Sequence, residues 1–71
     1  MTIHARWHRG KYEIFFFGAS FEDNLRDVKS RLLVFYEQIT PFSAEEQHMR
    51  IALDYACSYL YGAIAAKGNA K

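Results

Sequence analysis

Three histidines and one cysteine are the side chains of this 71-residue chain best suited to metal binding or nucleophilic chemistry. His4 and His8 lie four residues apart in a predicted β-strand, which separates them by about 13 Å at a rise of ~3.3 Å per residue. That separation is too long for both side chains to bind one ion. His48 lies far along the chain, at the start of a predicted helix. The spacing therefore predicts no metal site.

Cys57 and the adjacent pair Glu45 and Glu46 do not predict a catalytic group either. Cys57 has no histidine or lysine within one helical turn to activate its thiol, which favours a buried structural cysteine. The two glutamates lie at a predicted helix start, where the helix dipole favours carboxylates without any catalytic role. The chain also contains no glycine-rich phosphate loop and no nucleophile elbow. We therefore expect a protein that is not an enzyme and that holds no cofactor.

The N-terminal segment predicts a β-hairpin over residues 2–17 that turns at Arg9-Gly10. A two-residue turn fixes the register and places alternate side chains on opposite faces. The predicted pairs are Ile3–Phe16, Ala5–Ile14 and Trp7–Tyr12 on an apolar face, and Arg6–Glu13 and His8–Lys11 on a charged face. We expect the apolar face, including Trp7 and Tyr12, to pack against the rest of the molecule.

A first amphipathic helix is predicted over residues 21–40. Ser20 with Asp23 forms an approximate capping box, and Pro41 ends the helix because the residue before proline disfavours helical geometry. One apolar stripe recurs at spacings of three and four residues. Its members are Phe21, Leu25, Val28, Leu32, Phe35, Tyr36 and Ile39.

A second helix is predicted over residues 44–67, with a capping box formed by Ser43 and Glu46. Gly68 is the predicted C-terminal cap and begins a frayed tail over residues 68–71. This helix carries two apolar stripes. The first consists of Met49, Ala52, Leu53, Ala56, Leu60, Ala63 and Ile64, and the second of Ile51, Tyr55, Tyr59, Gly62 and Ala66.

Two arrangements would cover both stripes of the second helix. The hairpin and the first helix can cover them within one chain, or a symmetry-related copy can cover the second stripe. A single domain of 71 residues is small enough to need support, and one cysteine excludes an internal disulfide. The chain is therefore predicted to be a single α+β domain of order ββαα, with two antiparallel helices, that forms a dimer.

Membrane insertion and secretion are not predicted. The longest uncharged stretch is shorter than the roughly 20 residues that cross a bilayer, and the N-terminal residues do not follow the pattern of a signal peptide. We expect a cytoplasmic protein without a membrane partner.

An excess of aromatic side chains predicts the function. Aromatic residues make up 17% of the chain, which is more than so small a core readily buries, and exposed aromatics are typical of protein interfaces. We therefore expect a small regulatory or adaptor protein that binds another protein and is itself a homodimer. The candidate interface residues are Phe15, Phe17, Ile51, Tyr55, Tyr59 and Tyr61.

The alternative function is a nucleic-acid-binding regulator that uses the charged face of the hairpin. Basic groups beside aromatic rings can hold phosphates and stack bases, although a net charge of +1 does not itself favour nucleic acid. The Arg9-Gly10-Lys11-Tyr12 turn with its following strand and helix resembles hairpin-plus-helix DNA-binding modules in a general way, but no third strand is predicted. The candidate contacts are His4, Arg6, His8, Arg9 and Lys11.

Overall fold

Two strands and two helices follow one another in the predicted order in the computed structural model, which describes residues 3–69. The elements are β1 (Ile3–His8), β2 (Lys11–Phe16), α1 (Phe21–Tyr36) and α2 (Ala44–Asn69). The strands form an antiparallel hairpin and the helices pack side by side. The predicted ββαα architecture is confirmed.

The hairpin has the predicted register at every pair from Ile3–Phe16 to His8–Lys11. Its turn places Arg9 at a φ of 52° and Gly10 at a φ of 83°. Positive φ at both central positions is the pattern of a type I′ turn, whose twist matches that of the flanking strands. The local geometry of two residues therefore fixes which side chains share a face over the whole sheet.

Both helices begin at their predicted caps. The Ser20 hydroxyl accepts a hydrogen bond of 3.1 Å from the Asp23 backbone N–H. At α2 the capping box is reciprocal: the Glu46 N–H donates to Ser43 Oγ at 3.2 Å, and the Ser43 N–H donates to Glu46 Oε1 at 3.0 Å. These bonds satisfy backbone donors that a helix start otherwise leaves without a partner.

The predicted end of the first helix at residue 40 is wrong, because α1 ends at Tyr36. The chain leaves the helix through a tighter turn, in which the Gln38 N–H donates to the Phe35 carbonyl three residues back. Ile39, which was expected on the apolar stripe, lies beyond the helix and is fully exposed.

The C-terminal boundary of α2 also differs from the prediction. The helix continues past residue 67 to Asn69, and Gly68 lies within it without the positive φ that marks a glycine cap. The predicted tail is therefore helical at its first two positions. Residue 2 of the predicted hairpin and residues 70–71 of the predicted tail lie outside the described residues.

The core lies where the apolar face of the hairpin meets the two helices. Its buried residues are Ile3, Val28, Leu32, Leu53, Ala56 and Leu60. Ile14 and Phe16 pack against them from β2. Trp7 was predicted to point into this core, but its side chain is 50% exposed. It lies at the turn end of the sheet, where its indole has edge contacts with Tyr12 and His48.

Candidate interaction surface

The second apolar stripe of α2 is exposed along its length. Ile51 is 42% exposed, Tyr55 75% and Tyr59 61%, and Gly62 and Ala66 are exposed as well. We call these five residues the outer face of α2. The Phe16 ring of the hairpin contacts this face at Tyr59 but leaves all five residues exposed, so the arrangement that covers both stripes within one chain is wrong for this stripe.

Helical geometry explains why this face has no cover. Leu53 and Leu60 are fully buried in the core, and each residue advances by about 100° around the axis. Tyr55 and Gly62, two residues after each leucine, therefore project to the side opposite the core. The sequence places apolar and small residues on the side of α2 that faces away from α1.

A groove separates the outer face of α2 from β2, and we call it the β2–α2 groove. The ring of Phe16 stacks on Tyr59 with centroids 6.0 Å apart and planes inclined by 10°. The β2–α2 groove is lined by Lys11, Tyr12, Glu13, Ile14 and Phe16 of β2, and by Ala52, Tyr55, Ala56 and Tyr59 of α2. The exposed tyrosines of the helix thus continue directly into the open edge of β2.

A hydrogen bond attaches the turn end of β2 to the start of α2. The Tyr12 hydroxyl donates to Glu45 Oε1 at 2.6 Å. This bond and the nearby negative charge raise the pKa of Tyr12 above its ordinary value, because the phenolate would be repelled by the carboxylate. Glu45 therefore has a structural role at this site, as the acceptor for the Tyr12 hydroxyl.

The charged face of the hairpin is partly neutralised within the molecule. Arg6 donates to Glu13 Oε1 at 3.0 Å, and its guanidinium lies 5.4 Å from the centre of the Phe15 ring. The hydrogen bond from Arg6 lowers the pKa of Glu13. Arg6 therefore already has an anionic and an aromatic partner.

The other predicted nucleic-acid contacts lie exposed around this pair. His4 and His8 project from β1 on the side of Arg6, Lys11 lies opposite His8, and Arg9 occupies the turn. All five candidate contacts thus belong to the hairpin, with His4, Arg6, His8 and Lys11 on its charged face and Arg9 in its turn. Phe17, at 69% exposure, follows the end of β2.

The six predicted interface residues do not form one surface. Phe15 lies on the charged face of the hairpin, whereas Ile51, Tyr55 and Tyr59 lie on the outer face of α2. Tyr61 is separate from both groups, because its ring lies 5.6 Å from the Lys29 ammonium of α1. Tyr61 therefore belongs to the junction between the two helices.

The histidines and the cysteine, which are the side chains best suited to metal binding or nucleophilic chemistry, are not brought together. His48 contacts Trp7 on the apolar side of the hairpin, whereas His4 projects from the opposite side. Over residues 3–69 no three His, Cys, Asp or Glu side chains are grouped so that they could hold a metal ion. Cys57 is a free, partly buried thiol. Within the same range, no helix has the length and apolar character of a membrane span.

Comparisons with protein-family models, with curated proteins and with solved structures give no match.

Ala52 and Ala56 line the β2–α2 groove between the larger side chains. These two alanines were not assigned to a surface from the sequence. Their signal in the sequence is a pair of alanines four residues apart, on the helix flank next to the tyrosines.

Proposed function

We propose that this protein is a small non-enzymatic regulatory or adaptor protein that acts by protein–protein interaction, as a homodimer. The observation that carries this proposal is the outer face of α2, where Tyr55 and Tyr59 are more than half exposed beside Ile51. Large rings cost little conformational entropy when they are buried in a contact, and they commonly form the centre of protein interfaces. An exposed stripe of this kind supports a protein partner.

A second copy of the chain is the occupant that we assign to this face. Ile51, Tyr55, Ser58 and Gly62 follow one another at spacings of four, three and four residues, which is the spacing of a helix–helix seam. Ser58 and Gly62 are small enough to let another helix approach closely. A two-stranded sheet with a small core is marginally stable alone, and a second copy would enlarge that core.

A different protein would bind to the charged face of the hairpin. Phe15 supplies a partly exposed ring there beside Arg6, and Lys11 adds positive charge on the same face, so the complementary surface combines acidic and apolar groups. A lone free cysteine suits a reducing compartment, and we assign the protein to the cytoplasm.

Sedimentation equilibrium of the full chain tests the homodimer. We expect a dimer for the unmodified chain and a monomer for Tyr55→Ser. Val34→Ser is the control, because Val34 is 68% exposed on the other helix, and it should remain a dimer. A monomer at every concentration up to the solubility limit would refute the dimer, as would equal effects of the two substitutions.

Nucleic-acid binding is the second candidate, and the observation in its favour is that His4, His8, Arg9 and Lys11 are all exposed on the hairpin. Lys11→Ala should weaken binding and reduce its salt dependence, since each lysine–phosphate contact releases counterions. Arg26→Ala is the control, because Arg26 lies on α1 and pairs with Asp23. No mobility shift at low salt would exclude this function.

A further inference from the structure

We propose that the open edge of β2 is a strand-pairing site, and that its occupant is β2 of a second copy. The two hairpins would join into one four-stranded antiparallel sheet with both β2 strands at its centre. This inference deepens the proposed homodimer and rests on it. It adds the sheet edge to an interface that otherwise consists of the outer face of α2.

The register determines which backbone groups are available for this pairing. The two-residue turn makes His8–Lys11 the first hydrogen-bonded pair, and hydrogen-bonded and non-hydrogen-bonded pairs then alternate along an antiparallel ladder. The N–H and C=O groups of Tyr12, Ile14 and Phe16 therefore point away from β1. They form a continuous row of donors and acceptors at the open edge of β2.

The two edges of the hairpin differ in how well they are protected against pairing. Natural edge strands are commonly blocked by charge, proline or a bulge. β1 carries the cation Arg6 and no anionic residue, so two paired β1 strands would bring like charges together. β2 carries Lys11 and Glu13 of opposite sign, contains no proline, and pairs with β1 without a bulge. The β2 edge is therefore the less protected of the two.

The open edge of β2 and the outer face of α2 lie on the same side of the molecule. The stacking of Phe16 on Tyr59 and the shared lining of the β2–α2 groove show that α2 packs against β2 on this side. A two-fold axis perpendicular to the sheet beside β2 would place paired strands about 4.8 Å apart. The same axis would turn the outer faces of the two α2 helices toward each other. One symmetric interface thus covers both surfaces.

Centring the pairing on Ile14 gives the longest overlap of the two β2 strands. Tyr12 of one copy then lies opposite Phe16 of the other, and cross-strand aromatic pairs stabilise sheets. A single foreign strand would satisfy the same backbone groups but would leave Ile51 and Gly62 uncovered. The helix face beside the edge therefore favours a second copy as the occupant.

Amide hydrogen exchange measured by NMR tests this pairing without altering the chain. Above the dimerisation concentration we expect slow exchange at Tyr12, Ile14 and Phe16, and faster exchange on dilution. The amides of Ala5 and Trp7 are the internal control, because they face the open edge of β1 and should exchange rapidly throughout. Fast exchange at Ile14 in a proven dimer would overturn the proposal, as would protection that does not depend on chain concentration.

Backbone N-methylation in a chemically synthesised full-length chain gives a second test. N-methylation at Ile14 removes two hydrogen bonds per dimer and places methyl groups in the contact, so the dissociation constant should rise roughly 100-fold. N-methylation at Ala5, the cross-strand neighbour of Ile14, should leave it unchanged. Circular dichroism verifies that both chains fold.

The outcomes separate this inference from the homodimer itself. If Tyr55→Ser dissociates the dimer and N-methylation at Ile14 does not, the contact at α2 stands and the strand pairing is wrong. If the unmodified chain is a monomer, the homodimer fails and the strand pairing fails with it.

Discussion

Asn24 is a buried polar residue that fixes the junction between the hairpin and α1. Its side chain is almost fully enclosed at 5% exposure, and Oδ1 accepts a hydrogen bond of 2.8 Å from the Gly18 N–H. A Cβ atom on Gly18 would lie 2.5 Å from that oxygen, which is closer than atoms approach without displacement. The glycine and the asparagine therefore depend on each other.

Gly18→Ala should lower the free energy of unfolding by about 1–3 kcal/mol, because the new methyl group displaces the Asn24 side chain and weakens its hydrogen bond. Asn24→Ala should cost a similar amount by leaving the Gly18 N–H without its acceptor. The double variant should cost less than the sum, since the smaller side chain makes room for the methyl group. Urea denaturation of the four chains measures this coupling, and strict additivity would contradict it.

Arg9 occupies a backbone conformation that suits other residues better. A non-glycine residue at positive φ costs roughly 1–2 kcal/mol, and asparagine tolerates that region best. Arg9→Asn should therefore raise the free energy of unfolding by about 0.5–1 kcal/mol, measured by thermal denaturation. Gly10→Ala should lower the free energy of unfolding. Because a Cβ atom at residue 10 meets nothing within 4 Å, this loss of stability would come from backbone strain alone. A destabilised Arg9→Asn chain would refute the assignment of the turn.

The capping box at the start of α2 gives an acid-sensitive contribution to stability. The hydrogen bond from the Ser43 N–H lowers the pKa of Glu46 below its usual value of 4.5. A lowered pKa in the folded state means that this contribution is present above pH 4.5 and is lost as the pH falls through the lower folded value. Glu46→Gln should therefore flatten the decline of the urea midpoint below pH 4.5.

The matched control for this experiment is Glu37→Gln. Glu37 lies beyond the end of α1, outside the capping box. The substitution Glu37→Gln should therefore give the same pH dependence of the urea midpoint as the unmodified chain. If the urea midpoint of Glu46→Gln falls at low pH as steeply as that of the unmodified chain, the capping box does not contribute to stability.

Element type and register could be predicted from sequence, whereas element ends could not. Element type and register depend on local signals: a two-residue turn admits one register, and Ser20 and Ser43 mark helix starts. Pro41 marks only the farthest point that the first helix can reach. α1 ends a turn earlier, where the chain turns so that the Phe42 ring contacts Phe35 edge-on at 5.6 Å. That contact is tertiary and has no local signature.

Gly62 lies in the interior of α2, where helical stability does not explain a glycine. A Cβ atom there would meet nothing within 4 Å in a single chain, and glycine within a helix costs roughly 1 kcal/mol relative to alanine. Gly62→Ala should therefore stabilise the isolated monomer by about that amount, measured in the Tyr55→Ser background. A neutral or destabilising effect would indicate that Gly62 has a role within the single chain.

At the scale of the whole molecule, the distribution of apolar side chains between core and surface is the property that sequence left open. Both arrangements considered for α2 use the same residues, so periodicity cannot choose between them. The choice depends on where the hairpin lies over the helices. It lies above Ala56 and Tyr59, which leaves Tyr55 uncovered. Trp7 is half-exposed for the same reason, since only the first turns of α2 extend beneath it.

Stability should depend on chain concentration if the outer face of α2 is covered by a second copy. Dimerisation adds a free energy of RT ln(1 + [L]/Kd), so each tenfold increase in concentration above the dissociation constant contributes about 1.4 kcal/mol. The melting temperature of the unmodified chain should therefore rise with concentration. Tyr55→Ser should give a lower melting temperature that does not change with concentration, whereas Val34→Ser should keep the concentration dependence. A constant melting temperature for the unmodified chain would mean that the exposed tyrosines belong to a stable monomer and are free for a different protein.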